Sequence, residues 1–477
     1  MAIVLFLAQI ALAECTIGVA SGSATRDGRP IAFKTRDTDS WSLEFKVQTP
    51  SGYYAYAGNT AVSSTGVWFG QSEAGFGITQ SAAYNLSSSG SGLNNSTMMN
   101  YALERCQTVD DFEAILISTN SSGRSTAANY AVFDAFGGAA IFECAPHSYA
   151  RYDADSLGIA VHANFAYIGS SERVGQNRMD RAYQLMADAV AGDSLDARFI
   201  IKTVLSDLLY PGQDPYPLPW TGTFSGLPAG WINTGPFTSV QTICNANTHA
   251  AGVAQGVAIG EDPENSLLWC IFTAPVASVP FPVFPAAHAS PPEGRGASSP
   301  LLVACKAKYD SLFSHTSVSY WLKAGYLLDT LGGGVLTYTT AIVDWAYDSV
   351  SLKLDEWASS APTESQRSSF QDILADKILE AYLGGTPLQS VEPVSPVSIS
   401  LVAAPNPFNS KCRLTFEPAS SVNREVRVYD VTGRIVDRIA VPAQSGVAEW
   451  SPPFGAPAGL YLLGINGCEP VKIAYLK

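Results

Sequence analysis

The stretch Cys15-Thr-Ile-Gly-Val-Ala-Ser-Gly-Ser-Ala-Thr-Arg-Asp-Gly-Arg-Pro-Ile-Ala-Phe-Lys-Thr-Arg-Asp37 reads as a β-hairpin. Cys15 to Ala20 is a β-type run, Asp27-Gly28 is a turn dipeptide, and Pro30 to Lys34 is the returning strand. What precedes the hairpin gives it chemical interest. Met1 to Ala13 is an apolar run too short to span a bilayer, and it ends in Ala11-Leu12-Ala13, the small-x-small pattern of a signal-peptidase site. Residues 1–14 are therefore expected to be a leader, although the usual positive n-region is missing. Cys15 stands two residues past the expected cut. A thiol that cleaves an amide needs a base. The five histidines, His147, His162, His249, His288 and His315, form no recognisable Cys/His protease motif. A cysteine freed as the first residue carries its own base instead, because an α-amine with a pKa near 8 is partly neutral at physiological pH and takes the thiol proton.

Outward from the hairpin, the 477 residues predict two or three domains. With 47% hydrophobic and 15% charged residues, a large packed core is expected and bulk disorder is not. The net charge of −14, with no Lys/Arg cluster, argues against nucleic-acid binding. No stretch reads as a membrane span. No His/Cys/Asp cluster has metal-ligand spacing and no Gly-rich phosphate loop precedes a helix, so neither metal nor cofactor is expected. Of the eight cysteines, Cys412 and Cys468 fall in the last segment, where export would let them pair. If Cys15 stays free, five remain in the main body, and at least one of them is expected to be reduced.

Up to about Pro285 strands dominate: Val67 to Gly70, Gly77 to Ala82, and the hairpin Asn129 to Asp134 with Ala139 to Cys144. Ser96–Arg105, Val109–Ile117 and Gln176–Val190 have helical spacing. Strands with helices packed on them predict a layered α+β domain over 15–300. Leu301–Phe313, Val318–Leu331, Thr340–Trp357 and Glu364–Tyr382 predict a helical extension over 301–386, and a Pro/Val/Ser-rich linker follows at 387–398. Residues 399–477 alternate like a small β-sandwich.

Several of these residues resemble a known superfamily. Cys15-Thr-Ile, Asp27-Gly28 and Lys34-Thr-Arg-Asp37 are similar to the start of the N-terminal-nucleophile hydrolases, among them dipeptidase A, choloylglycine hydrolase, penicillin V acylase and isopenicillin-N acyltransferase. The resemblance implies a four-layer αββα core with the nucleophile opening a central strand. It also implies a cation and an acid on the next strand, here Lys34 and Asp37, with Asp37 orienting the α-ammonium group. The family usually has Arg where Lys34 stands; Arg36 is the nearby substitute. Further on, Glu73 to Ile78 with Tyr84 and Asn85 resembles the segment that supplies one oxyanion donor, without deciding between Tyr84 and Asn85. Val161-His-Ala-Asn164-Phe165 resembles a motif whose Asn points at the oxyanion, and Ser170-Ser-Glu-Arg173 a supporting Ser-x-x-Arg segment. The resemblance covers about 270 residues, and its specific part is Cys15 to Asp37. Separately, Pro405-Asn-Pro-Phe-Asn, Val428-Tyr-Asp-Val-Thr-Gly-Arg and Ala458-Gly-Leu-Tyr resemble the C-terminal sorting domains of secreted bacterial proteins.

The expected function is hydrolysis of a linear amide in a small amide or peptide substrate, by a secreted or surface-attached protein whose tail engages export machinery. Acyl transfer to an amine uses the same chemistry. A non-catalytic surface binding protein on the same fold is the reading from a different class.

Overall fold

A computed structural model describes residues 14–209, 214–219, 236–237, 241–315, 320–328, 334–385, 400–417, 424–431, 435–442, 445–453, 455–464 and 471–477. The expected leader before Glu14, the linker at 387–398 and Cys468 lie outside the described residues. The chain divides into two compact units, Met1–Gln389 and Ser390–Lys477.

In the first unit the Cys15 hairpin forms two inner strands of a six-stranded sheet. Its strands β1 (Cys15–Ala20) and β2 (Ile31–Asp37) pair antiparallel, with Cys15 opposite Arg36 and Ile17 opposite Lys34. The link between them is longer than a tight hairpin. Thr25 Oγ1 ties it by donating to the Arg29 carbonyl (2.9 Å), and Gly28 takes φ +75°, which a side chain would resist. The full order is β10 (Ile159–His162), β1, β2, β12 (Thr248–Gln255), β13 (Leu267–Phe272) and β14 (Pro280–Val283). A seven-stranded meander lies across it: β3 (Leu43–Gln48), β4 (Tyr56–Ala61), β5 (Val67–Ser72), β6 (Gly77–Ala82), β7 (Ala128–Phe133), β8 (Ala139–Cys144) and β9 (Tyr149–Asp153).

Because β1 and β2 are covered on both faces, they are buried throughout and do not alternate with water. Strand alternation still sorts their side chains. Cys15, Lys34 and Arg36 share the face toward the meander, where Lys34 meets β6 and Arg36 meets β4. Thr16, Thr35 and Asp37 face the other way. The sheets approach closely at Gly252, where a Cβ would come within 2.3 Å of the Phe69 ring.

The outer faces are closed by helices. Helices α1 (Asn95–Arg105) and α2 (Val109–Asn120) bury Met98, Leu103, Phe112 and Leu116 against Phe76, Tyr130 and Phe142 of the meander side. Both begin with capping boxes, at Asn94 and Thr108. Helix α3 (Gln176–Ala191) and short α4 (Ala197–Phe199) join α5 (Pro300–Leu312), α6 (Val335–Trp357) and α7 (Glu364–Gly384) in one core with the six-stranded sheet. The result is the four-layer αββα arrangement, in which α5 to α7 belong to the outer layer.

In the described part of the helix predicted over Val318–Leu331, residues 320–328, no α-helix forms. Strand β16 (Tyr320–Lys323) pairs with β15 (Phe313–His315) and β11 (Pro236–Phe237), and a 3₁₀ turn follows at Ala324–Tyr326. Aromatic Tyr320 and Trp321 suit a strand, and pairing with two other segments overrides the helical spacing.

The second unit has two antiparallel sheets around one core. One runs β17 (Ser400–Ala404), β18 (Cys412–Glu417), β21 (Val447–Trp450). The other runs β20 (Ile435–Val441), β19 (Arg424–Tyr429), β22 (Gly459–Gly464), β23 (Val471–Tyr475). Leu414, Phe416 and Trp450 of the first meet Val426, Val428 and Leu463 of the second, as in a β-sandwich. Cys412 carries a free thiol.

Candidate active site

Cys15 is the first residue of β1, and its backbone nitrogen donates to Asn164 Oδ1 at 2.7 Å. Asn164 can do this because β10 pairs with β1, Ile17 opposite His162, and the chain turns inward just beyond. The side chain is fully buried and anchored at its other end, where Nδ2 donates to the Ala82 carbonyl (3.1 Å) at the end of β6. Its Oδ1 also accepts from Arg178 Nη2 at 2.9 Å.

Arg178, which the sequence reading missed, organises this corner. It lies in the first turn of α3 and is buried. Its Nε donates to Thr16 Oγ1 (3.3 Å), and Nη1 pairs with the carboxylate of Glu14, the residue still attached ahead of Cys15. Gly175 makes room for it: with φ +81°, a Cβ there would lie 2.4 Å from Arg178 Nη2. A trace existed in the sequence, since Arg178 lies in register with the buried stripe Ala182 and Met186, where an unpaired cation would not be tolerated.

Asp37 closes β2 on the helix side. Oδ1 accepts from Thr248 Oγ1 (2.7 Å) and Oδ2 from Asn245 Nδ2 (2.8 Å), two partners that sequence reasoning did not find. Burial pushes its carboxyl up to about 6, opposed by the Arg178 charge and by both hydrogen bonds. The folded chain that retains Glu14 thus holds a proton on Asp37 over a range where the unfolded chain has lost it. Stability from this group is highest at low pH and falls as pH rises from about 4 to 6. With Cys15→Ala used to keep Glu14 in place, adding Asp37→Asn should flatten that decline. Urea midpoints measured from pH 4 to 7 check this; equal slopes with and without Asp37 would show that its ionisation is not linked to folding.

The cation directly opposite Cys15 is Arg36. It is buried, donates to Asn59 Oδ1 (3.3 Å) and lies 4.9 Å from the centre of the Trp68 ring. Burial pulls its guanidinium down to about 10, and the charge of a Cys15 thiolate works against this. Lys34 sits two pairs further along, opposite Ile17, with Nζ donating to the Gln80 carbonyl between the sheets. Of the two cations on β2, Arg36 is the one paired in register with Cys15, and Lys34 is paired with Ile17.

Tyr84 is close enough that its phenol is raised first by burial and next by Cys15. Its backbone N–H, one expected oxyanion donor, already donates to the Asn164 carbonyl (3.1 Å). Asn85 is committed elsewhere: its Nδ2 donates to the carbonyls of Ala166 and Ser170 (2.8 Å each), which makes it a tie for the 166–172 loop. Arg173 is exposed and caps the same loop through the Ser170 carbonyl (2.7 Å), so it does not join the group around Cys15. His162 accepts from the Ala163 N–H at Nδ1 and bonds Glu143 at Nε2 (2.7 Å), and burial pulls His249 down to about 4. Both are engaged away from the thiol.

Beside the group opens a cleft of about 500 Å³, walled by Trp68, Tyr84, Leu86, Asn94 and Ser125. Its wall residue Trp68 lies against Arg36, and its wall residue Tyr84 is close enough to feel Cys15, which does not itself line the cleft. Among the described residues no cluster of three His, Cys, Asp or Glu side chains could hold a metal ion, and no helix is long and apolar enough to cross a membrane.

Residues 25–188 match the family described as acyl-coenzyme A:6-aminopenicillanic acid acyl-transferase. No curated protein sequence matches the chain. Among solved structures, a variant of conjugated bile acid hydrolase from Clostridium perfringens is similar at 11% identity, over 54% of this chain and 89% of that one, with a TM-score of 0.35. Penicillin V acylase from Agrobacterium tumefaciens matches at 15% identity, over 57% and 86%, with a TM-score of 0.35. The Caenorhabditis elegans N-acylethanolamine-hydrolyzing acid amidase orthologue matches at 18% identity, over 40% and 86%, with a TM-score of 0.32.

Proposed function

We propose that this chain belongs to the N-terminal-nucleophile hydrolase superfamily, as an amide hydrolase or acyltransferase, and cleaves linear amides with the thiol of Cys15 once Glu14 has been removed. The family match over 25–188 and the αββα core support the superfamily. The observation that carries the finer reading is the hydrogen bond from the Cys15 nitrogen to Asn164 Oδ1 at 2.7 Å. Freed from Glu14, that nitrogen is an amine whose position is already fixed. One N–H stays on Asn164, and the lone pair is left for the thiol proton.

The thiolate attacks the substrate carbonyl, with Arg36 directly across the ladder from it. The second hydrogen of Asn164 Nδ2, the one not used on Ala82, is the donor available to the oxyanion. The protonated amine then gives its proton to the leaving nitrogen. Water resolves the thioester in a hydrolase, and a second amine resolves it in an acyltransferase. We further propose export through the leader before Cys15 and delivery to the cell surface through the C-terminal unit.

The test combines an iodoacetamide probe with a panel of small amides. Burial raises the competing thiols, Cys305 to about 11 and Cys144 to about 12, so they should resist alkylation. Rapid labelling on the Cys15 peptide, with loss of turnover in proportion, is the expected result. Slow and uniform labelling with no amide cleaved would favour a binding protein. Deleting residues 390–477 should leave kcat and KM within about twofold while altering delivery, because that unit has its own core. A folded deletion that lost most of its turnover would give the tail a part in catalysis.

A further inference from the structure

The residue ahead of the nucleophile occupies the place of a substrate acyl group. We propose that Cys15 itself removes Glu14, beginning when Sγ attacks the Glu14 carbonyl carbon. The S–C bond forms, the C–N bond to Cys15 breaks, and the thiol proton passes to the nitrogen, which becomes the α-amine. Water then adds to the thioester, the C–S bond breaks, and a proton returns to sulfur. The thioester in this sequence is an acyl-enzyme on the same Sγ that later carries substrate, with glutamyl as its acyl group. In the chain before cleavage, that glutamyl side chain is paired with Arg178 Nη1.

With Glu14 in place Arg178 is 1% exposed, and removal of Glu14 uncovers Nη1. Nη2 keeps Asn164 and Nε keeps Thr16, but Nη1 has lost the carboxylate it was built around. A buried guanidinium with an open donor is costly, and an incoming carboxylate satisfies it with a charge-assisted bond. The geometry points to the substrate class: we infer that the mature site selects amides whose acyl group ends in a carboxylate three methylene-type carbons from the carbonyl, as in N-glutaryl and N-glutamyl amides. The inference rests on the proposed function, because it requires Cys15 to be the nucleophile. Asp37, whose charge Arg178 feels, is the internal competitor for the vacated guanidinium.

The experiment uses the mature full-length protein and two chromogenic substrates of equal length, glutaryl-p-nitroanilide and valeryl-p-nitroanilide. The expected result is a kcat/KM roughly 10- to 100-fold higher for the glutaryl compound, the range of a hydrogen bond to a charged group. The ratio should collapse toward one in Arg178→Lys, which keeps charge but loses the fork, with the N-terminus verified by mass spectrometry. If that variant fails to fold or mature, Glu14→Gln gives the second reading: its self-cleavage should slow by about tenfold if the carboxylate–Arg178 pair holds the acyl group. Equal or faster cleavage of the valeryl compound overturns the inference and leaves the amidase reading standing. Failure on both compounds, while other amides are cleaved, overturns it equally. No cleavage of any amide, with Cys15 unreactive, removes the proposed function and the inference with it.

Discussion

Cys15→Ala should abolish turnover and leave Glu14 on the chain. On the proposed mechanism the two effects share one origin, because the thiol both releases its own nitrogen and attacks substrate. Deleting the nucleophile of a hydrolase costs on the order of 10⁶-fold in kcat, and any remaining rate comes from binding and oxyanion stabilisation. The fold should survive. Cys15 begins a strand whose ladder to β2 and β10 is made by the backbone, and the lost sulfur leaves a small void at the end of the core, not its middle. Thermal midpoints within a few degrees of the parent, intact mass showing Glu14 and no detectable turnover form the expected set. Cys15→Ser separates the steps. A hydroxyl is a poorer nucleophile at neutral pH, so slow maturation with a small residual rate is expected. A Cys15→Ala protein that turns over substrate at more than about one per cent of the parent rate would place the chemistry elsewhere.

The order of elements around Cys15 was legible in the sequence because local signals agree there. Cys15–Ala20 and Ile31–Asp37 are β-type runs, the turn has its Gly28, and Gln176–Ala191 keeps an apolar stripe. Asn164 was legible through its motif, and the bond to the Cys15 nitrogen gives that motif a physical role. What was hidden is the long-range partnering. Asn245 and Thr248 reach Asp37 across more than 200 positions, from a segment with no pattern that marks it. Arg178 was displaced by Arg173 in the reading, since both lie near the start of α3 and only burial tells them apart. Asn85 looked like a donor because it neighbours Tyr84; its amide in fact ties a loop. Lys34 and Arg36 share one face of β2, so alternation could not choose between them. The register did, by setting Arg36 against Cys15.

Asn164→Asp should lower kcat by about 10²–10³-fold while changing KM little, the loss expected when one oxyanion donor is removed. Aspartate keeps the shape and the acceptor oxygen. The Cys15 nitrogen and Arg178 Nη2, now 2.7 Å and 2.9 Å from Oδ1, therefore retain their partner. What disappears is Nδ2 with its two hydrogens, one on the Ala82 carbonyl and one that the proposed mechanism offers to the oxyanion. The substitution thus removes the donor without disturbing the acceptor, which Asn164→Leu would not do. The new negative charge beside the α-amine adds a second signature. An opposite charge favours the protonated amine, so the acidic limb of the pH–rate profile should move to higher pH. Rate and pH limb together distinguish the two roles. A fall in kcat with an unmoved limb would mean that the amine is not the base. A shifted limb with kcat at its plateau within about fivefold of the parent would leave Asn164 as the residue that orients the amine and assign the oxyanion to another donor.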